Sequence, residues 1–362
     1  MKSCKLTAVL LAVCLLLPMS ASAALPGDGL PYVLMDEDLQ AWADASLPAM
    51  AGEGGEWYAI ALVQGEFSVD LTEYAVAMTA FFAETKQQNP VERQRCALAL
   101  AAMGLTEYAG QTAEETVGKQ GIMSLIFGLH LLQNGGVCAS FTRDSIAEQL
   151  VSLQREDGGW SLTGQYGDVD VTAMTLQALA MEKETYTSAI EKGLAFLESK
   201  QQPGGGFKSY GVENSESVSQ VIIALTSLGI DPRKDERFSG IIEAWESYRL
   251  ESGRFSHVHG GEENGHASVQ ALLAYVSMWR LENGLEGLYA FASHIEELPE
   301  VSVPSQDSGL SEHSAASEEP TLLESASGDP ETMSVSRQAA LCLAVVIALA
   351  CAVFIVLPRR RK

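Results

Sequence analysis

One unit recurs three times in this chain: an apolar helix, a glycine-bearing turn with one aromatic, and a second apolar helix. Its first copy runs through Leu150-Val151-Ser152-Leu153-Gln154, Asp157-Gly158-Gly159-Trp160 and Asp168-Val169-Asp170-Val171-Thr172-Ala173-Met174. The second runs from Leu194-Ala195-Phe196-Leu197 through Gly205-Gly206-Phe207 to Ser217-Val218-Ser219-Gln220-Val221. The third runs from Ala244-Trp245 through Gly253-Arg254-Phe255 to His266-Ala267-Ser268-Val269-Gln270-Ala271. The turn aromatics stand at positions 160, 207 and 255, 47 and then 48 residues apart. A fixed period of that size means stacked helical hairpins, because no single hairpin can bury its own apolar face.

Apolar residues at helical spacing predict helices over 41–50, 69–82, 92–103, 122–132, 145–153, 169–181, 188–199, 218–228, 238–250 and 267–280. Clusters such as Gly52-Glu53-Gly54-Gly55, Asn134-Gly135-Gly136 and Gly229-Ile230-Asp231-Pro232 punctuate them. No run alternates β-branched residues, so the expectation is an all-α domain without a sheet. The run Cys96-Ala97-Leu98-Ala99-Leu100-Ala101-Ala102-Met103 is apolar on every side. A helix of that kind is buried all round, which suits the inner layer of a double-layered barrel.

The ends read as targeting elements. Lys2 and Lys5, the apolar stretch Leu6 to Leu17 and the small residues Ala21-Ser22-Ala23 predict a signal peptide over 1–23. Residues 337–358 predict a single C-terminal transmembrane helix. The uncharged run Ala339 to Leu357 within it is long enough for a hydrocarbon core of about 30 Å. The basic residues 359–362 then belong on the cytoplasmic side. Residues 296–336 are rich in Ser, Glu and Pro and are expected to form a disordered, self-repelling acidic stalk. The folded body is then 24–295, outside the cell on a single-pass anchor. The end also resembles a sortase signal at Asp329-Pro330-Glu331-Thr332-Met333. Met333 stands where sortase substrates carry glycine, which favours membrane anchoring over attachment to the cell wall.

A formal charge of −24 disfavours nucleic acid as a partner. Two cysteines remain in the body, Cys96 and Cys138, and either one disulfide or two free thiols is compatible with their spacing.

The stretch Leu153-Gln154, Asp157-Gly158-Gly159-Trp160 and Asp168 to Ala173 resembles the α/α-toroid superfamily. That superfamily includes terpene cyclases, protein prenyltransferase β subunits, complement thioester domains and the α-barrel of cobalamin carriers. The likeness extends over about residues 50–285 and looks closest to secreted bacterial prenyltransferase-like toroids. It implies an α/α toroid of about five to six helical hairpins. Class II cyclases protonate an alkene from the middle acid of an Asp-x-Asp-Asp-Thr-Ala motif, a place that Asp170 matches. Val171, however, replaces the last aspartate. Capping of the helix near Val171 by Asp168 and Asp170 is the structural alternative. In prenyltransferases zinc is held by Asp-x-Cys and a later histidine. The aligned residues here are Ser215-Glu216-Ser217 and His266, leaving Glu216, His257 and His266 as a weaker metal candidate. Neither cysteine sits in a thioester element. Cobalamin carriers close their site with a separate β-domain.

The repeat places Asp170, Glu216 and His266 at equivalent helix starts, and in a toroid those starts face one mouth. The candidate ligand-binding residues are Tyr166, Asp168, Asp170, Tyr210, Glu213, Glu216 and His266, while Trp160, Phe207 and Phe255 are expected to be packing clips. The sequence reading is therefore a non-catalytic surface binding or scaffolding module without a cofactor. Its extracellular ligand would be a peptide, a glycan or a corrinoid-like molecule.

Overall fold

The structure, a computed structural model, describes residues 39–84 and 89–291. The predicted signal peptide, stalk, transmembrane helix and basic tail lie outside the described residues. Among the described residues no helix is long and apolar enough to cross a membrane.

The described residues are mostly helical. The helices are α1 (Leu39–Ser46), α2 (Gly55–Gln64), α3 (Thr72–Glu84), α4 (Pro90–Ala102), α5 (Glu107–Thr116) and α6 (Gly121–Gln133). They continue with α7 (Arg143–Ser152), α8 (Val169–Leu179), α9 (Thr187–Lys200), α10 (Ser215–Ser227), α11 (Ile241–Glu246) and α12 (Gly265–Glu282). Each even-numbered helix packs against the next, from α2 through α4, α6, α8 and α10 to α12, and α12 packs back on α2. Odd-numbered helices lie against this cycle: α3 on α4, α5 on α4 and α6, α7 on α6, α9 on α8, and α11 on α10.

Burial follows the same division. Helix α4 buries every residue from Cys96 to Ala102, and α6 buries Ser124 to Gln133 without interruption. Helix α7 buries only Ile146, Ala147 and Leu150, a single stripe. Sequence character accounts for this. The even helices carry small and apolar residues on all sides, whereas α7 and α9 alternate apolar with charged positions.

The three repeated turns share one hydrogen-bond pattern. The amide of Asp168 donates to the Trp160 carbonyl (2.8 Å), Asn214 to Phe207 (3.3 Å) and Asn264 to Phe255 (2.9 Å). Behind each aromatic a glycine adopts a left-handed backbone: Gly158 (φ 88°), Gly205 (φ 88°) and Gly253 (φ 80°). These turns fold Trp160, Phe207 and Phe255 wholly into the core.

Several expectations need correction. Helices α2 and α5 were not predicted. Helix α2 begins inside the glycine cluster that reads as a loop, and α5 is mostly polar, burying small groups such as Ala109, Gly110 and Ala113. The predicted helix 41–50 ends at Ser46, and Pro48 opens a separate 3-10 turn. The predicted helix 238–250 shrinks to Ile241–Glu246 because Gly240 takes φ 81° just ahead of it. A small β-ribbon also forms, β1 (Lys208–Ser209) antiparallel to β2 (Val212–Glu213). Its turn puts Tyr210 at φ 48° and Gly211 at φ 84°, the paired left-handed geometry that suits the twist of a two-residue hairpin. Cys96 and Cys138 are both free thiols. Burial pushes the Cys96 thiol up to about 12.

Candidate functional site

Each even-numbered helix follows an N-cap position, filled by a capping side chain in four of the six, and the second helical position carries the distinctive side chain. Following caps Gly54, Asn89, Gln120, Asp168, Asn214 and Asn264, those residues are Glu56, Val91, Ile122, Asp170, Glu216 and His266. Four neighbouring helices of the cycle, α8, α10, α12 and α2, therefore present ionisable groups, and the other two present aliphatic ones. The charged groups sense one another in the same order: Asp170 with Glu216, and Glu216 with His266. His266 also senses Arg95, whose Nη2 lies 3.2 Å from Glu56 Oε1. These helix starts share one end of the cycle.

The two aspartates divide their work. Asp168 is the cap: its Oδ1 accepts the amides of Asp170 (3.0 Å) and Val171 (3.1 Å). Its Oδ2 accepts the Ser209 hydroxyl at 2.9 Å, tying the hairpin loop to α8. Asp170 makes no capping bond, and its Oδ1 is sealed from solvent without a hydrogen-bond partner. Burial and the neighbouring Asp168 carboxylate push the Asp170 carboxyl up to about 7, with a smaller push from Glu216. The Ser217 and Ser209 hydroxyls pull the other way.

Glu216 accepts the Ser215 hydroxyl (3.1 Å) and meets His257 Nδ1 at 2.9 Å through Oε2. His266 is exposed at the start of α12, with protein groups close to its ring. Burial lowers the basicity of His266, opposed by Glu216 and reinforced by Arg95 and His257. Beneath these groups Tyr248 is fully buried and stacks on His259, with ring centroids 3.9 Å apart. Its hydroxyl is pushed up to about 12 by burial and by Glu213 and Glu216.

The structure therefore brings Asp168, Asp170, Glu216 and His266 together. Tyr166 and Tyr210 stand outside them, 69% and 68% exposed, on the two loops joined by the Ser209–Asp168 bond. Glu213 belongs to the hairpin, where Lys208 lies 3.9 Å away. The expected grouping of Glu216, His257 and His266 around a metal is not assembled. Glu216 and His257 meet as a pair, and among the described residues no three His, Cys, Asp or Glu side chains are placed to hold an ion. Sequence reasoning missed Glu56, Arg95, Ser209 and Ser217. Glu56 was within reach, since it stands two residues after its cap as Asp170 does.

At the far ends of α10 and α12 a surface depression is lined by Gly229, Asp231, Arg233, Lys234, Leu281 and Glu282. Its charges are satisfied among themselves, Arg233 pairing with Asp231 (2.9 Å) and Glu282 (3.3 Å), so it offers no unmet chemistry. No protein-family model matches this chain, and no curated protein matches it.

Asp170 makes stability depend on pH. Its carboxyl is raised above the unfolded value of about 3.9, so its contribution is complete below pH 4 and is lost as pH rises through 7. Asp170→Asn is expected to gain about 2 kcal/mol on the wild type between pH 4 and 8, allowing for partial solvent access. Urea unfolding at both pH values measures this, and a difference that does not change with pH would contradict it.

Proposed function

We propose that this chain is an exported, membrane-anchored α/α toroid that works as a binding module. The cycle of even-numbered helices with odd-numbered helices outside supports the toroid. The likeness of the repeat to secreted prenyltransferase-like toroids supports it too. Export and anchoring rest on the signal-like residues 1–23 and the apolar segment 337–358.

One observation carries the binding role: Asp170, Glu216 and His266 occupy the same position on three consecutive inner helices. Two exposed tyrosines stand beside them. Exposed aromatics next to ionisable groups suit recognition of a ligand. A cyclase role for Asp170 meets a physical obstacle. Protonating an alkene needs an unusually strong acid, whereas the surroundings of Asp170 make it a weak one.

The test compares ligand binding to the full chain with binding to Tyr166→Ala/Tyr210→Ala and His266→Ala variants. A loss of about tenfold or more in folded variants is expected. Unchanged affinity would remove the mouth as the binding surface, and turnover of a polyprenyl or squalene-like substrate that disappears in Asp170→Asn would replace the binding role with catalysis.

A further inference from the structure

We propose that residues 285–291 are a strap latched across the end of the helix cycle opposite the mouth, and that acid releases it by charging His130. None of the residues at the mouth takes part in this device.

Past α12 the chain turns at Gly284 (φ 69°) and crosses the helix ends. Arg280 fixes the start of the crossing. Its Nε donates to the Glu286 carbonyl at 2.9 Å, and its Nη1 donates at 2.8 Å to the carbonyl of Gln64, the last residue of α2. Gly287 then lies against Ser227, the last residue of α10, where a Cβ would stand 3.2 Å from the Ser227 Cα. The strap ends on α6, three steps from α12 in the cycle. There the Asn134 side chain donates to the Tyr289 carbonyl (2.8 Å) and accepts the Phe291 amide (2.7 Å). Leu288 and Phe291 are wholly buried. One short segment joins the ends of α12, α10 and α6, and its anchor Arg280 reaches α2.

His130 makes this latch sensitive to protons. It stands in the last turn of α6, 2% exposed, its ring against that of Tyr289 with centroids 4.6 Å apart. Its Nδ1 has no hydrogen-bond partner. Burial pushes the imidazole down to about 4, opposed by the Gln133 side chain and by no charged group. The surrounding elements explain why. Helix α6 has no other ionisable residue. The charges of α4 (Glu92, Arg93 and Arg95) and of α8 (Asp170) stand near the starts of those helices, at the other end of the cycle. Glu107, Glu114 and Glu115 of α5 and Asp144 and Glu148 of α7 are exposed, and Arg143 pairs with Glu182. On the strap, Glu286 is exposed and acts on Arg280, while burial keeps the Tyr289 hydroxyl neutral. A charged His130 has no counter-ion while the strap is closed. Once the strap leaves, water solvates the ring and the carbonyls ending α6 favour a cation. The closed value lies below the ordinary 6.5, so the contribution of a neutral His130 is complete above pH 6.5 and is lost as pH falls towards 4. The strap yields first because a short irregular segment opens more readily than the helices it covers.

The experiment is hydrogen exchange read by mass spectrometry on the full-length chain in detergent micelles at pH 7, 5.5 and 4.5. Each rate is divided by that of an unstructured peptide at the same pH. Protection of the Ala290 and Phe291 amides is expected to fall about tenfold or more from pH 7 to pH 4.5, while amides within α8 and α10 keep theirs. His130→Phe keeps a ring against Tyr289 that cannot charge. It should leave strap protection at pH 7 within about twofold of wild type and remove its dependence on pH. His130→Gln, equally unable to charge, makes the same test if the phenylalanine variant does not fold. Asn134→Ala should lower strap protection at pH 7 about tenfold, since both of its bonds to the strap are lost. Wild-type strap protection that is equal at pH 7 and pH 4.5, or that falls only together with that of α8 and α10, would overturn the proposal. So would an undiminished pH dependence in the His130 variants, or a strap as well protected in Asn134→Ala as in the wild type.

Discussion

Trp160→Ala is expected to lower the free energy of unfolding by about 4 kcal/mol, the largest loss from any single turn aromatic. The side chain is fully buried, and its indole Nε1 donates to the Leu150 carbonyl at 2.6 Å. Its backbone amide donates to Thr172 Oγ1 at 2.8 Å, so the ring and the chain around it lock the turn to α8. Truncation leaves a cavity the size of an indole and removes one of the Leu150 carbonyl's donors, the Leu153 amide (3.1 Å) remaining. Tyr166→Ala, at an exposed ring six residues further on, should change stability by no more than about 0.5 kcal/mol. Urea denaturation followed by circular dichroism separates the two. If Trp160→Ala costs less than Tyr166→Ala, the clip role is wrong.

Gly205→Ala comes second, with an expected loss of about 3 kcal/mol. Gly205 adopts φ 88°, and a Cβ there would stand 2.1 Å from the Gly240 carbonyl oxygen. That oxygen is backbone and has no rotamer with which to retreat, so strain and clash act together. Its neighbour Gly204 is the internal control, because a Cβ there meets nothing within 4 Å. Gly204→Ala should cost less than about 1 kcal/mol. Thermal melts of both variants are sufficient, and equal effects would mean that the turn tolerates rearrangement.

These two substitutions act on the part of the protein most legible in its sequence. The recurrence of a glycine before each of Trp160, Phe207 and Phe255 specifies both the left-handed turn and the buried ring, because few other residues serve either purpose. The all-α content and the two-layer burial were legible for the same reason: Cys96 to Met103 is apolar in every direction, whereas α7 is apolar along one stripe. Failures came where local signals conflicted with packing. Helix α5 has little apolar periodicity to announce it, yet its small residues fit closely, Gly110 lying where a Cβ would stand 2.2 Å from the Val137 carbonyl oxygen. Helix α2 hides behind glycines that in isolation signal a loop.

The site divides along the same line. Position along the chain was enough to align Asp170, Glu216 and His266, since equivalent places in a repeat fall at equivalent places in the fold. It did not distinguish the two aspartates of Asp168-Val169-Asp170, which look alike as helix-capping acids. Only the tertiary structure separates them: Asp168 turns onto the free amides and Ser209, while Asp170 makes no capping bond and keeps Oδ1 unpartnered. It also closes the cycle of helices, bringing Arg95 of α4, paired with Glu56 of α2, within the electrostatic reach of His266 of α12. Periodicity within the chain determines which face of each helix is buried and where its start lies. Which charges meet across that start depends on contacts between residues far apart in sequence, and only packing brings those together.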